Sequence, residues 1–139
     1  SSNILGDVME SLLGAQLRED GFESARALVR ALWRDAVEGD ADAYYYANAR
    51  FHGVVYDSCG NDYLRQQAHA LKRVLQPYRR LQLRVPDRMR RSLAEHRIIA
   101  DAISRGDAGI AEDAARDHVL VQVKEFSHLV RTWRQLSAS

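Results

Sequence analysis

The chain has 139 residues, 46% of them hydrophobic, which suits a single domain with one core. Lysine and arginine total 20 against 19 acidic residues, and the net charge of +1 excludes a global attraction to nucleic acid or anionic lipid. The single cysteine, Cys59, excludes an internal disulfide and a Cys-rich zinc site, and it suits a reducing compartment.

No apolar run approaches the roughly 20 residues that span a bilayer, and the amino terminus lacks a signal-peptide pattern. The expectation is a cytoplasmic domain with no membrane partner. Ser1-Ser2-Asn3 carries no initiator methionine, so a fragment is expected, with room for another domain upstream.

Only 2 prolines and 8 glycines punctuate the chain, and no stretch alternates polar with apolar long enough to argue for a strand. An amphipathic helix is predicted from Ile4 to about Leu17, ended by Arg18-Glu19-Asp20-Gly21. A second runs from Phe22 to about Val37 with Ala25, Leu28, Val29, Leu32 and Trp33 at helical spacing. Gly39-Asp40 stops it, and Asp40 or Asp42 caps a third helix reaching about Ser58. Asn61 or Asp62 then caps a fourth, with Leu64, Ala68, Leu71, Leu75 and Tyr78 on its apolar side, and Pro77 predicts a kink or junction there. Pro86-Asp87 opens a fifth helix whose inner stripe is Met89, Leu93, His96, Ile99, Ala100 and Ile103. Gly106-Asp107 ends it and caps the last helix, Ala108 to about Gln135. That helix aligns Val119, Val123, Phe126, Val130 and Trp133 on one face, with Ala111, Ala115, His118, Gln122 and Leu129 along the flank. Six helices with short links predict an all-α antiparallel bundle without repeats or an interdomain linker.

The third helix holds the polar anomaly. On a face with Ala41, Tyr44, Tyr45, Phe51 and Val55 stand Asn48 and His52, four residues apart and able to address one point. His96 sits mid-stripe on the fifth helix, where an unsatisfied imidazole costs on the order of 1–3 kcal/mol, and His118 lies beside Ala111, Ala115 and Gln122 on the last. Each alone reads as a satisfied core histidine. Together they predict an incomplete shell for a divalent ion such as zinc, nickel or manganese, with positions left open for water or for a carboxylate. Hydrolysis needs a general base nearby, and Glu95, next to His96, is expected to point away from it. Binding is therefore favoured over chemistry. His69 and His128 read as boundary or surface residues, Cys59 as a helix-end residue. The run Arg79, Arg80, Arg84, Arg88, Arg90 and Arg91 reads as a solvated or dimer-facing surface, because only Tyr78 among it could stack on a base.

The motifs Asn48-x-x-Phe51-His52, Cys59-Gly60-Asn61, Glu95-His96-Arg97-x-Ile99-x-x-Ala102-Ile103-x-x-Gly106-Asp107 and Ala111 to His118 resemble the FCD module, the effector-binding domain of FadR-type GntR transcription regulators. The similarity covers roughly residues 25 to 130. It implies a helical bundle that binds a small organic acid, forms a homodimer, and informs a winged helix-turn-helix that precedes it and contacts DNA. It also implies a metal held at the positions of Asn48, His52, His96 and His118, anchoring the acid's carboxylate. Two departures stand out. Asn48 occupies a place where many relatives carry aspartate, and Met9 and Leu13 stand where an arginine and a glutamate are frequent. Tyr45 and Gln67, polar and near the apolar stripes, are candidate effector contacts. Two other readings compete with the sensor: a metalloenzyme activating water or oxygen, and a dimerisation domain whose histidines bond to each other.

Overall fold

The computed structural model describes residues 19–137, all organised by five helices and the short links between them. These are α1 (Glu19–Glu38), α2 (Ala41–Asp57), α3 (Asp62–Gln82), α4 (Arg88–Ser104) and α5 (Ala108–Ser137). The helix predicted over Ile4 to Leu17, with Met9 and Leu13, lies outside the described residues. The all-α prediction holds for the rest, and each described helix starts and stops within a few residues of its predicted bounds.

Two Gly-Asp corners account for much of that agreement. At the end of α4, Gly106 adopts φ 67°, its N–H donates to Ile103 O, and the Asp107 N–H reaches back to Ala102 O. This left-handed closure satisfies the last carbonyls of the helix, and glycine enters it without a Cβ clash. Asp107 then turns its own side chain forward, accepting from Ile110 N at 3.1 Å to cap α5. Gly39-Asp40 repeats the device: Gly39 has φ 72°, Asp40 N donates to Asp35 O, and Asp40 Oδ1 accepts from Ala43 N at 2.9 Å. Asn61 caps α3 through Leu64 N at 3.1 Å.

The helix α2 is the axis of the bundle. Tyr44, Tyr45, Ala47, Asn48, Phe51, His52 and Val55 are all buried along it, and α1 covers it through Leu32, itself fully buried. α4 packs on both α1 and α5. The small Ala102, Ala111 and Ala115 are all buried at the α4–α5 side, where short side chains allow close approach of the two backbones.

Two expectations need correction. The stripe drawn on the last helix is not its most buried face: Val123 is 55% exposed and Trp133 68%, whereas Ala111, Ala115 and His118 on the predicted flank are enclosed. Small residues decided the contact, and bulk alone misled. Of the kink or junction expected at Pro77, the junction is absent, because α3 runs as one helix through Pro77 to Gln82. Pro77 and Arg73, whose carbonyl loses its partner to the proline, are both exposed, so water can serve the orphaned oxygen. α3 leans on α2 and touches α5 lightly, leaving Leu71, Val74 and Tyr78 in solvent.

Candidate metal centre

Three imidazoles from three helices meet in the core. His52 of α2, His96 of α4 and His118 of α5 are all buried. His52 Nε2 lies 3.1 Å from His96 Nε2 and 3.3 Å from His118 Nε2. The His52 and His118 rings stack with centroids 5.2 Å apart, and Phe51 meets His96 edge-on at 4.7 Å. Asn48 stands one turn before His52, and its buried Oδ1 has no hydrogen-bond partner.

The proton inventory around His118 is constrained. Its Nδ1 lies 2.5 Å from Glu95 Oε2, and Glu95 is gripped by Arg88 through Nη1 to Oε1 at 2.9 Å and Nη2 to Oε2 at 3.0 Å. Burial pushes the Glu95 carboxyl up, but the hydrogen bonds from His118 and Arg88 together outweigh it and hold the group at about 2. An ionised carboxylate only accepts, so His118 Nδ1 carries the hydrogen and its Nε2 presents a lone pair. That lone pair accepts from Gln122 Nε2 at 2.8 Å. Burial first, then the neighbouring imidazoles, keep His52 and His96 well below the ordinary histidine range, hence neutral.

A neutral His52 has one N–H at most at Nε2, with two imidazole nitrogens facing it. A cation satisfies all three lone pairs at once. The spacing fits: two nitrogens bound at 2.0–2.1 Å and separated by about 90–110° lie about 2.8–3.4 Å from each other, and the separations of His52 Nε2 from the other two are 3.1 and 3.3 Å. The unpartnered Asn48 Oδ1 is the oxygen available for a fourth bond. Asn48, His52, His96 and His118 could thus hold a divalent metal, with Glu95 and Ser92, 3.3 Å from His96 Nδ1, orienting the rings.

A cavity of about 240 Å³ lies between α3 and α5 and is linked to the imidazoles through Gln122. Tyr56, Lys72, Arg79, Gln82 and Gln122 supply its polar lining, and Gln122 also touches His118. Gln82 Nε2 donates to Gln122 O at 2.8 Å, and Lys72 Nζ to Ala49 O at 2.5 Å. Neither Tyr45 nor Gln67 lines it. Tyr45 is buried on α2 with the Arg80 guanidinium 5.7 Å over its ring, and Gln67 is exposed beside Asp57, Arg65 and Arg73.

The expectation that Glu95 points away from His96 holds, yet Glu95 still reaches the centre. It leaves its neighbour His96 but crosses to His118 on the next helix. The arginine run is corrected at Arg88, which is only 2% exposed and lies 2.9 Å from Glu125 Oε2 as well as on Glu95. A seven-residue spacing puts Arg88 and Glu95 two turns apart on one face, a signal present in the sequence. His69 is half-buried against Asp57 at 2.8 Å, His128 is exposed, and Cys59 Sγ closes the end of α2 on Asn61 O at 3.2 Å.

Residues 7–120 match the family model described as the FCD domain. The chain belongs to the FCD family. It is thereby an effector-binding domain of the FadR type found in GntR transcription regulators. Over 43 residues it is also 44% identical to a ribonuclease 3 of Zymomonas mobilis subsp. mobilis, a stretch equal to 31% of this chain and 18% of that protein. The chain thus spans under a fifth of that relative's length. Among the described residues, no helix of this FCD domain is long and apolar enough to cross a membrane.

Proposed function

We propose that this FCD domain senses a small carboxylate through a divalent cation held by Asn48, His52, His96 and His118. The observation that carries the reading is the convergence of three buried imidazole nitrogens, at separations natural for ligands of one ion, beside a cavity that shares Gln122 with them. Once bound, the metal supplies a Lewis-acidic anchor for a carboxylate oxygen. The chain's own groups do the rest: Glu95 fixes the His118 tautomer, and Arg79 and Lys72 set a positive field over the cavity floor.

Binding of the acid favours one arrangement of the domain, which acts as a homodimer. The shift reaches a winged-helix domain upstream and alters its grip on DNA in the cytoplasm. A catalytic role fares worse. Glu95, held ionised at about 2 by its partners, is too weak a base to take a proton near neutral pH.

The test is elemental analysis of the purified chain together with thermal melting. The expected result is about one divalent ion per chain, lost in His96→Ala, and a melting temperature raised by small acids only while the metal is present. Equal metal content in the variant overturns the reading.

A further inference from the structure

The cavity between α3 and α5 is lined by two chemically distinct sets of side chains. Its floor carries the polar groups. Gln82 is buried there and Arg79, Lys72 and Gln122 are half-buried. Lys72 is spent on Ala49 O and Gln82 on Gln122 O, whereas Arg79 Nε is buried with no hydrogen-bond partner. A buried guanidinium donor without an acceptor is an unmet demand, and an anion is what meets it.

The rim is hydrocarbon. Leu71, 58% exposed, and Val123, 55% exposed, lie at the opening with Tyr78, and Leu75, Val119 and Phe126 stand half-buried behind them. Tyr78 and Phe126 meet edge to face at 4.9 Å. A second carboxylate placed against these hydrocarbon side chains has no donor to replace its water.

On the reading above, in which a carboxylate reaches the metal, we propose that the acid is a compact monocarboxylate with an apolar body. Its carboxylate faces the Arg79 and Gln122 floor, and its hydrocarbon fills the gap between α3 and α5. About 240 Å³ holds about eight water-sized groups, which accommodates a carboxylate and about five further carbons. Di- and tricarboxylates are disfavoured by the rim.

Calorimetry on the metal-loaded 139-residue chain tests this with straight-chain monocarboxylates of two to eight carbons, and with succinate and citrate. Affinity is expected to rise about fourfold per methylene and to level off near six carbons, with both polyacids weaker than hexanoate. Val123→Asp, at an exposed position that tolerates polarity, should abolish the chain-length dependence and leave metal content intact. Arg79→Met should weaken every acid by a similar factor. Tighter binding of citrate or succinate than of hexanoate, or a flat series, overturns the apolar-tail inference and leaves the sensor reading standing. Binding of none of these acids to a metal-loaded chain overturns both.

Discussion

Gln122→Leu separates a metal ligand from a competitor for one. The Gln122 amide occupies the His118 Nε2 lone pair at 2.8 Å, and a metal taking that lone pair must break the bond first. A neutral hydrogen bond of this kind contributes about 1 kcal/mol net, so its removal should tighten metal binding about fivefold. Leucine keeps the side-chain bulk and the helix. The contact from Gln82 survives, because Gln82 Nε2 binds the backbone carbonyl of residue 122 and not its amide. The assay is competition for zinc, nickel or manganese against a chromophoric chelator, with wild type and variant side by side. Weaker binding in the variant would make Gln122 a ligand and refute the competition argument. Identical affinities would refute it too, by showing that the bond does not oppose loading.

Acid should weaken the metal-free domain in two windows. His52 and His96 have folded pKa values well below 6.5, so the unfolded chain takes up protons first and stability falls as pH drops below about 6.5. Glu95, lowered from 4.5 to about 2, adds a contribution of about 3 kcal/mol that is present above pH 4.5 and lost between there and about 2. Thermal melts across pH resolve both, and a flat profile from pH 7 to 5 contradicts the first. Arg88→Met leaves Glu95 and Glu125 without their buried cation, and a loss of 3–5 kcal/mol is expected from denaturant unfolding. Asp40→Ala removes the cap from Ala43 N and should cost about 1 kcal/mol in the same assay.

Much of this was legible in the residues, for reasons that differ from place to place. The corners at Gly39-Asp40 and Gly106-Asp107 announce themselves because closure and capping are local and need only two adjacent side chains. His52, His96 and His118 were traceable because each interrupts or flanks an apolar series, and an enclosed imidazole demands a reason to be there. Arg88 was not, because its neighbours Arg90 and Arg91 are exposed while it alone turns inward to two carboxylates. The face of α5 was misjudged for a related reason. Hydrophobic size ranks residues by what they could bury, and the partner helix decides what they do bury. Gln122 had a visible signal in its four-residue spacing from His118, the same spacing that joins Asn48 to His52.

On the proposed sensor reading, helix α3, which leans on α2 and touches α5 lightly, is where occupancy of the cavity would have mechanical consequences. α1, α2, α4 and α5 share the enclosed core, whereas α3 offers Lys72, Arg79 and Gln82 to the cavity and contacts α5 mainly across it. A ligand can shift an equilibrium only by its difference in affinity between two arrangements. That difference is greatest for an element whose contacts are partly replaced by the ligand itself. An acid seated between α3 and α5 would bridge two helices that are joined by the Gln82–Gln122 bond and the Tyr78–Phe126 contact. The imidazole cluster lies on α2, α4 and α5 and none of it on α3. On that sensor reading, α2, α4 and α5 would hold the metal and α3 would respond to the acid.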